Sequence, residues 1–295
     1  MAEAAVERAR RAEAVAARLP PILVAAERVA STVAQGVHGR RRTGRGDSFW
    51  QYRRFAEGDT PARIDWRRSA RSGQPAPTGW FVRETEWEAA QTVCLWADPS
   101  PSMDWHSSAA SVTKRHRAEL LLLALASLLL RGGERAALIA DPLRPMAGRA
   151  ALDKLASMLA APAAQDEAGI PPEVQLPRHG TVVVISDFLT EIAKLQAMIS
   201  RFAALPANGY LLQVLDPAEL DLPYEGRVRF AGLEREGEAL IPRVESLRDA
   251  YMQQLRAIQD MLRESCQAAG LGFGVHVTNR PPEAALLMLY TALAP

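Results

Sequence analysis

The residues best placed to do chemistry are Asp98, Ser100 and Ser102, in the run Asp98-Pro99-Ser100-Pro101-Ser102. One carboxylate and two hydroxyls at alternate positions of a tight loop can converge on a single point. Hard cations such as Mg²⁺ or Mn²⁺ prefer such an all-oxygen shell, with waters filling the remaining octahedral positions. The two prolines stiffen the loop and lower the entropy lost when the ligands are presented. Three further aspartates end apolar runs in the same way as Asp98 does in LWAD: Asp141 in LIAD, Asp187 in VISD and Asp216 in VLD. Aspartates also open turns and cap helices, so a structural role is open for each. Asp104 and Asp141 are candidates for an additional site. His106 lies close to Asp98 and Asp104, which keeps a divalent-metal-dependent hydrolase as an alternative to a binding site.

Strands that end on these aspartates must alternate with helices. Gln91–Ala97, Arg135–Ala140, Thr181–Ser186, Tyr210–Leu215 and residues 271–277 are short β-branched or apolar runs. Helices are expected at Ser111–Arg131, 150–160, 190–204, 246–269 and from Pro282 onward, and a hairpin at Val228–Glu234 with Ala239–Val244. This alternation predicts an α/β fold: a mostly parallel sheet with helices on both faces. Ligands then collect at the carboxyl ends of the strands, near a point where the strand order reverses.

The remainder divides into two parts. Residues 1–35 read as a helical appendage, with one helix over 2–19 ended by Pro20-Pro21 and a second to about Gln35. Residues 36–88 form an irregular Arg-, Gly- and Trp-rich segment, and residues 89–295 the α/β domain. From Gly36 to Gly73 there are ten arginines against four acids, a local balance of 10 − 4 = +6, with Phe49, Trp50, Tyr52, Phe55 and Trp66 interleaved. Three readings fit: a clasp of Arg–Asp pairs and buried aromatics, a docking surface for an acidic protein, or a nucleic-acid footprint. Nucleic acid is the least favoured. Arg45-Gly46-Asp47-Ser48 spells an integrin-recognition tetrapeptide, read here as coincidence.

The formal net charge is +1, so electrostatic arguments must be local. Cys94 and Cys266 sit in separate apolar segments and read as buried, reduced thiols. The N-terminus carries charges throughout without an apolar core, and the most apolar run, Leu120–Leu130, is short of the ~20 residues of a membrane span. A cytoplasmic protein is expected. No GxxxxGK[ST] loop, HExxH or Cys/His cluster occurs, His276 in FGVHV reads as a core residue, and no Ser/His/Asp order surrounds Ser100 or Ser102. A non-enzyme is expected.

The loop Asp98–Ser102, placed after the first buried strand and before a long helix, resembles the DxSxS metal-ion-dependent adhesion site of von Willebrand factor A domains. The resemblance implies direct Mg²⁺ (or Mn²⁺) ligation by Asp98, Ser100 and Ser102, and a water-mediated contact from Asp187 in ISDF. The threonine that family adds has no counterpart, since no Thr occurs between Thr113 and Thr181. Gly39–Gly73 resembles the signature of a bacterial family catalogued as domain of unknown function 58: Gly44-Arg45-Gly46, Arg53 then Phe55, Gly58-Asp59, Arg63-Ile64-Asp65-Trp66 and Ser69-Ala70-Arg71, with Glu84 or Glu86 near the following strand. Arg45, Arg53, Asp59, Arg63, Asp65, Trp66 and Arg71 are its candidate partner-binding or clasp residues. The resemblance implies a von Willebrand factor A-like fold and an accessory role beside a MoxR-type AAA+ ATPase in assembling or activating a client protein.

Overall fold

Runs of valine, isoleucine and leucine without polar alternation require strands covered on both faces. The computed structural model of the chain describes residues 21–34, 49–56, 61, 64–85, 91–161, 169–177, 180–204, 208–233 and 237–293. The helix expected over residues 2–19 lies outside them. Two compact units are present: residues 1–39 with 91–295, and residues 40–90.

In the larger unit, β3 (Thr92–Ala97), β4 (Arg135–Leu138), β5 (Thr181–Ser186), β6 (Gly209–Leu215) and β9 (Gly272–Val277) form one parallel sheet in the order β4-β3-β5-β6-β9. The chain steps outward from β3 to β4, then returns to add β5 on the other side of β3. The switch point therefore lies between β3 and β5, at Asp98 and Asp187.

Residues of each strand alternate between two apolar layers. Val93 and Leu95 of β3, with Val183 and Ile185 of β5, face one layer, which takes in α3 (Lys114–Arg131), α4 (Ala150–Leu159) and α8 (Pro282–Ala292). Cys94, Trp96, Val182 and Val184 face the other, built on α5 (Ile192–Ala203) and α7 (Glu245–Ala268). Every residue from Leu120 to Leu129 is buried, so the most apolar run is a core helix covered all round. Part of that cover is α1, helical at residues 21–34, which puts Ile22, Ala26, Val29, Ala30 and Val33 into the same layer. Glu27 on α1 pairs with Arg131 at 2.6 Å. Over residues 21–34 the N-terminal helix is thus a layer of this unit and not an appendage. A short α6 (Pro217–Asp221) follows β6, and β7 (Val228–Ala231) pairs antiparallel with β8 (Glu238–Ile241) as the expected hairpin. Among the described residues no helix is long and apolar enough to cross a membrane.

In the smaller unit, β1 (Phe49–Arg54) pairs antiparallel with β2 (Phe81–Thr85), and α2 (Trp66–Arg71) lies between them in sequence. Asp65 caps α2 by accepting from the Arg68 N–H at 2.9 Å. Trp80 meets Phe55 and Trp66 edge-on, with centroids 5.3 and 5.6 Å away. This regular structure was invisible to periodicity, because strands of a two-stranded ribbon and a six-residue helix are too short to show it. With a parallel sheet covered on both faces, switching order between β3 and β5, the larger unit has the von Willebrand factor A-like α/β fold.

Candidate functional site

The first turn of α3 reads Lys114-Arg115-His116-Arg117. Cations at a helix N-terminus oppose the helix dipole, by ~0.3–1 kcal/mol each at an exposed site. Their presence calls for partners outside the helix, and each of the three basic chains named Lys or Arg has them.

Lys114 is buried and reaches across the switch point. Its Nζ donates to Asp187 Oδ2 at 2.8 Å and to Glu219 Oε1 at 2.5 Å. Arg115 folds back on the Asp98 loop: Nε and Nη2 meet the two oxygens of Asp104 at 2.5 and 2.9 Å, and Nη2 also donates to the carbonyls of Pro99 and Ser100 at 2.6 and 3.1 Å. Arg117 ties the helix to the end of β9, donating to the carbonyls of Arg280 and Thr278 at 2.9 and 2.8 Å.

Asp98 Oδ1 accepts from the Ser100 N–H at 2.8 Å, and a 3-10 turn over Pro101–Asp104 follows. The hydroxyls of Ser100 and Ser102 stand 3.0 Å apart. Ser102 Oγ donates to Asp187 Oδ2 at 2.9 Å, which joins β3 to β5. The second oxygen of Asp98 accepts from Ser186 Oγ at 2.6 Å, and Ser186 Oγ in turn accepts from the Phe188 N–H at 3.0 Å. Phe188, buried, turns the chain in the left-handed region at φ 52. Asp187 Oδ1 accepts from the Leu189 N–H at 3.1 Å, and the Asp187 carbonyl accepts from Gln213 on β6 at 2.8 Å. Gly169, at φ +46, brings bare backbone beside Asp98: a Cβ there would lie 3.7 Å from Oδ2.

Burial sets the electrostatics. It pushes the Asp98 carboxyl above the ordinary range, against the hydrogen bonds of Ser186 and Ser100, and the charge of Asp187 adds to the rise. For Lys114, burial pulls the ammonium down, but Asp187 and Glu219 outweigh it and hold the group charged, above its usual value. The Glu219 carboxyl is raised above its usual value by burial first, against the Lys114 ammonium, with the charge of Asp187 adding to the rise.

The expected site residues are therefore partly assembled. Asp98, Ser100, Ser102 and Asp187 come together. Asp104 is the partner of Arg115 with its side chain 59% exposed, and Asp141 is exposed beyond the edge strand β4, outside the cluster. Asp216 caps α6, accepting from the Ala218 and Ser107 N–H groups at 2.8 and 2.9 Å. His276 is buried and faces Arg117 Nη1 at 3.4 Å, and His106 is exposed. Cys94 and Cys266 are buried, free thiols. Of the Arg-rich candidates, Arg45, Asp59 and Arg63 lie outside the described residues, and Arg53 lies in β1. Asp65 is the cap of α2. Trp66 and Arg71 are exposed, and an open concavity is lined by Arg54, Arg67, Arg68 and Arg71. Lys114, Glu219 and Ser186 were missed; the one signal was a lysine opening a long apolar helix against its dipole.

The expectation of a divalent ion can be tested against this donor set. The two hydroxyls have the ~3 Å separation of neighbouring oxygen ligands on a small octahedral ion. The rest does not fit. Asp187 Oδ2, the oxygen that faces Ser102, already accepts from both the Ser102 hydroxyl and the Lys114 ammonium, which takes up its two lone pairs.

No curated protein matches the chain. Among solved structures it is similar to the conserved hypothetical protein BatB from Bacteroides thetaiotaomicron, at 13% identity and TM-score 0.40 over 68% of this chain and 98% of that one. It is also similar to an aerotolerance-related membrane protein from Bacteroides fragilis NCTC 9343, at 17% identity and TM-score 0.37 over 69% and 98%. A family model described as protein of unknown function DUF58 matches residues 51–261, most of the chain, and the chain belongs to that family.

Proposed function

We propose that the chain is a non-catalytic protein-binding module that docks through the loops at the carboxyl ends of β3 and β5, as an accessory to a MoxR-type AAA+ ATPase acting on a client protein. The observation that carries this reading is that the polar groups of the switch point hold one another. Ser102 Oγ donates to Asp187, and the same carboxylate oxygen is tied to Lys114. Oδ2 of Asp187 thus accepts from two donors at once, which holds the centre as a rigid platform. Beside this polar floor, the chain after Asp187 exposes Leu189 and, at the start of α5, Ile192, by 40% and 47%. Apolar side chains next to a fixed polar centre suit a protein partner.

The test is association of the purified chain with a MoxR-type AAA+ ATPase of the same source, beside the Leu189→Glu/Ile192→Glu variant. Loss of roughly tenfold or more in affinity is expected for the variant. Equal affinity would move the docking site elsewhere.

The smaller unit supports a second surface. Arg54, Arg67, Arg68 and Arg71 line one concavity together with Asp65, an excess of positive charge that suits an acidic stretch of the partner or client. Arg67→Glu/Arg71→Glu should weaken association and flatten its salt dependence; a salt response equal to wild type removes this surface.

A further inference from the structure

The switch point holds a cation of its own. Lys114 leaves the helix at its first residue and places Nζ 2.8 Å from Asp187 Oδ2, the same oxygen that accepts from Ser102 Oγ at 2.9 Å. Its second carboxylate, Glu219, comes from the next strand end, after β6. The side chains of Lys114 and Asp187 are 2% and 4% exposed. A carboxylate and hydroxyls gathered at one buried point need a positive charge, because an unpaired buried anion is costly. Here the charge is covalently part of the chain.

From this geometry we infer that Lys114 Nζ is the resident cation of the DxSxS loop, so that the site is assembled without Mg²⁺ or Mn²⁺ and its protein docking is independent of divalent ions. A dication at Ser100 and Ser102 would lie beside the ammonium on Asp187, and the two positive charges would repel at short range in a poorly solvated pocket. The ammonium fixes Asp187 against Ser102 at all times, whereas a bound ion would do so only when present. A module built this way does not respond to chelation. The inference rests on the docking reading above only for its consequence for the partner; the ion itself is tested on the chain alone.

Mn²⁺ is titrated into the full chain and followed by calorimetry and by the paramagnetic resonance of free Mn²⁺, and melting is measured with Mg²⁺, with Mn²⁺ and with EDTA. No saturable binding and identical melting in all three are expected. One equivalent of bound Mn²⁺, lost in Asp98→Ala, overturns the inference, as does a melting temperature that EDTA lowers. Two variants probe the charge itself. Lys114→Met leaves Asp187 and Glu219 uncompensated and should melt well below wild type, too unstable to isolate at the extreme. Lys114→Met/Asp187→Asn removes one of those charges and should recover part of the loss. A double variant no more stable than the single one shows that Lys114 is not balancing Asp187, which also overturns the inference. Association with the ATPase measured in EDTA keeps the two readings apart: unchanged affinity agrees with both, EDTA-sensitive affinity overturns metal independence, and no association in any buffer sinks the docking reading while the Mn²⁺ result stands.

Discussion

Arg115 on α3 grips Asp104 with two nitrogens, at 2.5 and 2.9 Å, while the same guanidinium holds the carbonyls of Pro99 and Ser100. The ion pair is largely exposed at Asp104 and by itself contributes ~0–1 kcal/mol. The carbonyl contacts are partly buried and bring the whole to about 1–2 kcal/mol. Arg115→Ala should lower stability by that amount in urea unfolding, and the Met103 N–H, bonded to Ser100 O at 3.1 Å, should exchange faster with solvent. Arg115→Lys should recover little, because an ammonium cannot span four acceptors with a planar fork. A lysine variant as stable as wild type would show that charge alone mattered.

Asp98 is held by hydrogen bonds at both oxygens and is nearly fully buried. Asp98→Ala leaves the Ser100 N–H and the Ser186 hydroxyl without an acceptor, a loss of about 1–3 kcal/mol. Asp98→Asn keeps an acceptor for the Ser100 N–H, and its amide can meet Ser186 Oγ with the hydroxyl reversed. Burial already disfavours the ionised carboxylate, so the neutral isostere should lose clearly less than alanine. Equal losses in chemical denaturation would mean that the charge, and not the hydrogen bonding, keeps the loop in place.

The layers of the larger unit were legible because they follow from periodicity. Thr181–Ser186 was read residue for residue, since an unbroken β-branched run can only be a strand buried on both faces. The expected start of α3 at Ser111 moved to Lys114, because Thr113 and not Ser111 supplies the cap, accepting from the His116 N–H at 3.1 Å. The site was half legible. Asp98, Ser100 and Ser102 announce themselves by local spacing, and Asp187 by its place after a strand. Asp141 follows a strand equally well, yet β4 is an edge strand on the far side of β3, away from the switch. Lys114 was not among the expected site residues, because its partners lie 73 and 105 residues onward and only the strand order brings them near.

His276 on β9 gives the chain a defined acid sensitivity. Burial, with the Arg117 guanidinium beside it, pushes the imidazole down to about 4, from an ordinary value of 6.5. The folded state therefore keeps the ring neutral where the unfolded chain protonates it. The stability linked to this group is fully present above pH 6.5, falls as pH drops and is gone below about pH 4, a total of about 3 kcal/mol. Urea midpoints should fall across this window in wild type and fall less steeply in His276→Gln, whose amide oxygen can still accept from Arg117. Parallel pH profiles for the two proteins would show that other groups carry the acid sensitivity.

Gly272 and Gly274 make room for one aromatic ring between neighbouring strands. Tyr210 on β6 is in register with Gly272 on β9, and its ring lies flat where a side chain would be: a Cβ on Gly272 would sit 2.3 Å from Tyr210 Cδ2, and one on Gly274 2.6 Å from the Tyr210 hydroxyl. Cβ atoms cannot approach a ring that closely, so Gly272→Ala must displace Tyr210 or spread β6 from β9. Overpacking of this kind costs ~1–3 kcal/mol. The loss should be local in origin, and pairing the change with a smaller residue should relieve it. Tyr210→Val alone leaves a gap, Gly272→Ala alone a clash, and the two together should be more stable than the sum of the single effects by a measurable margin in a double-mutant cycle. Additive effects would mean that the glycine serves the backbone of β9 and not the ring of Tyr210.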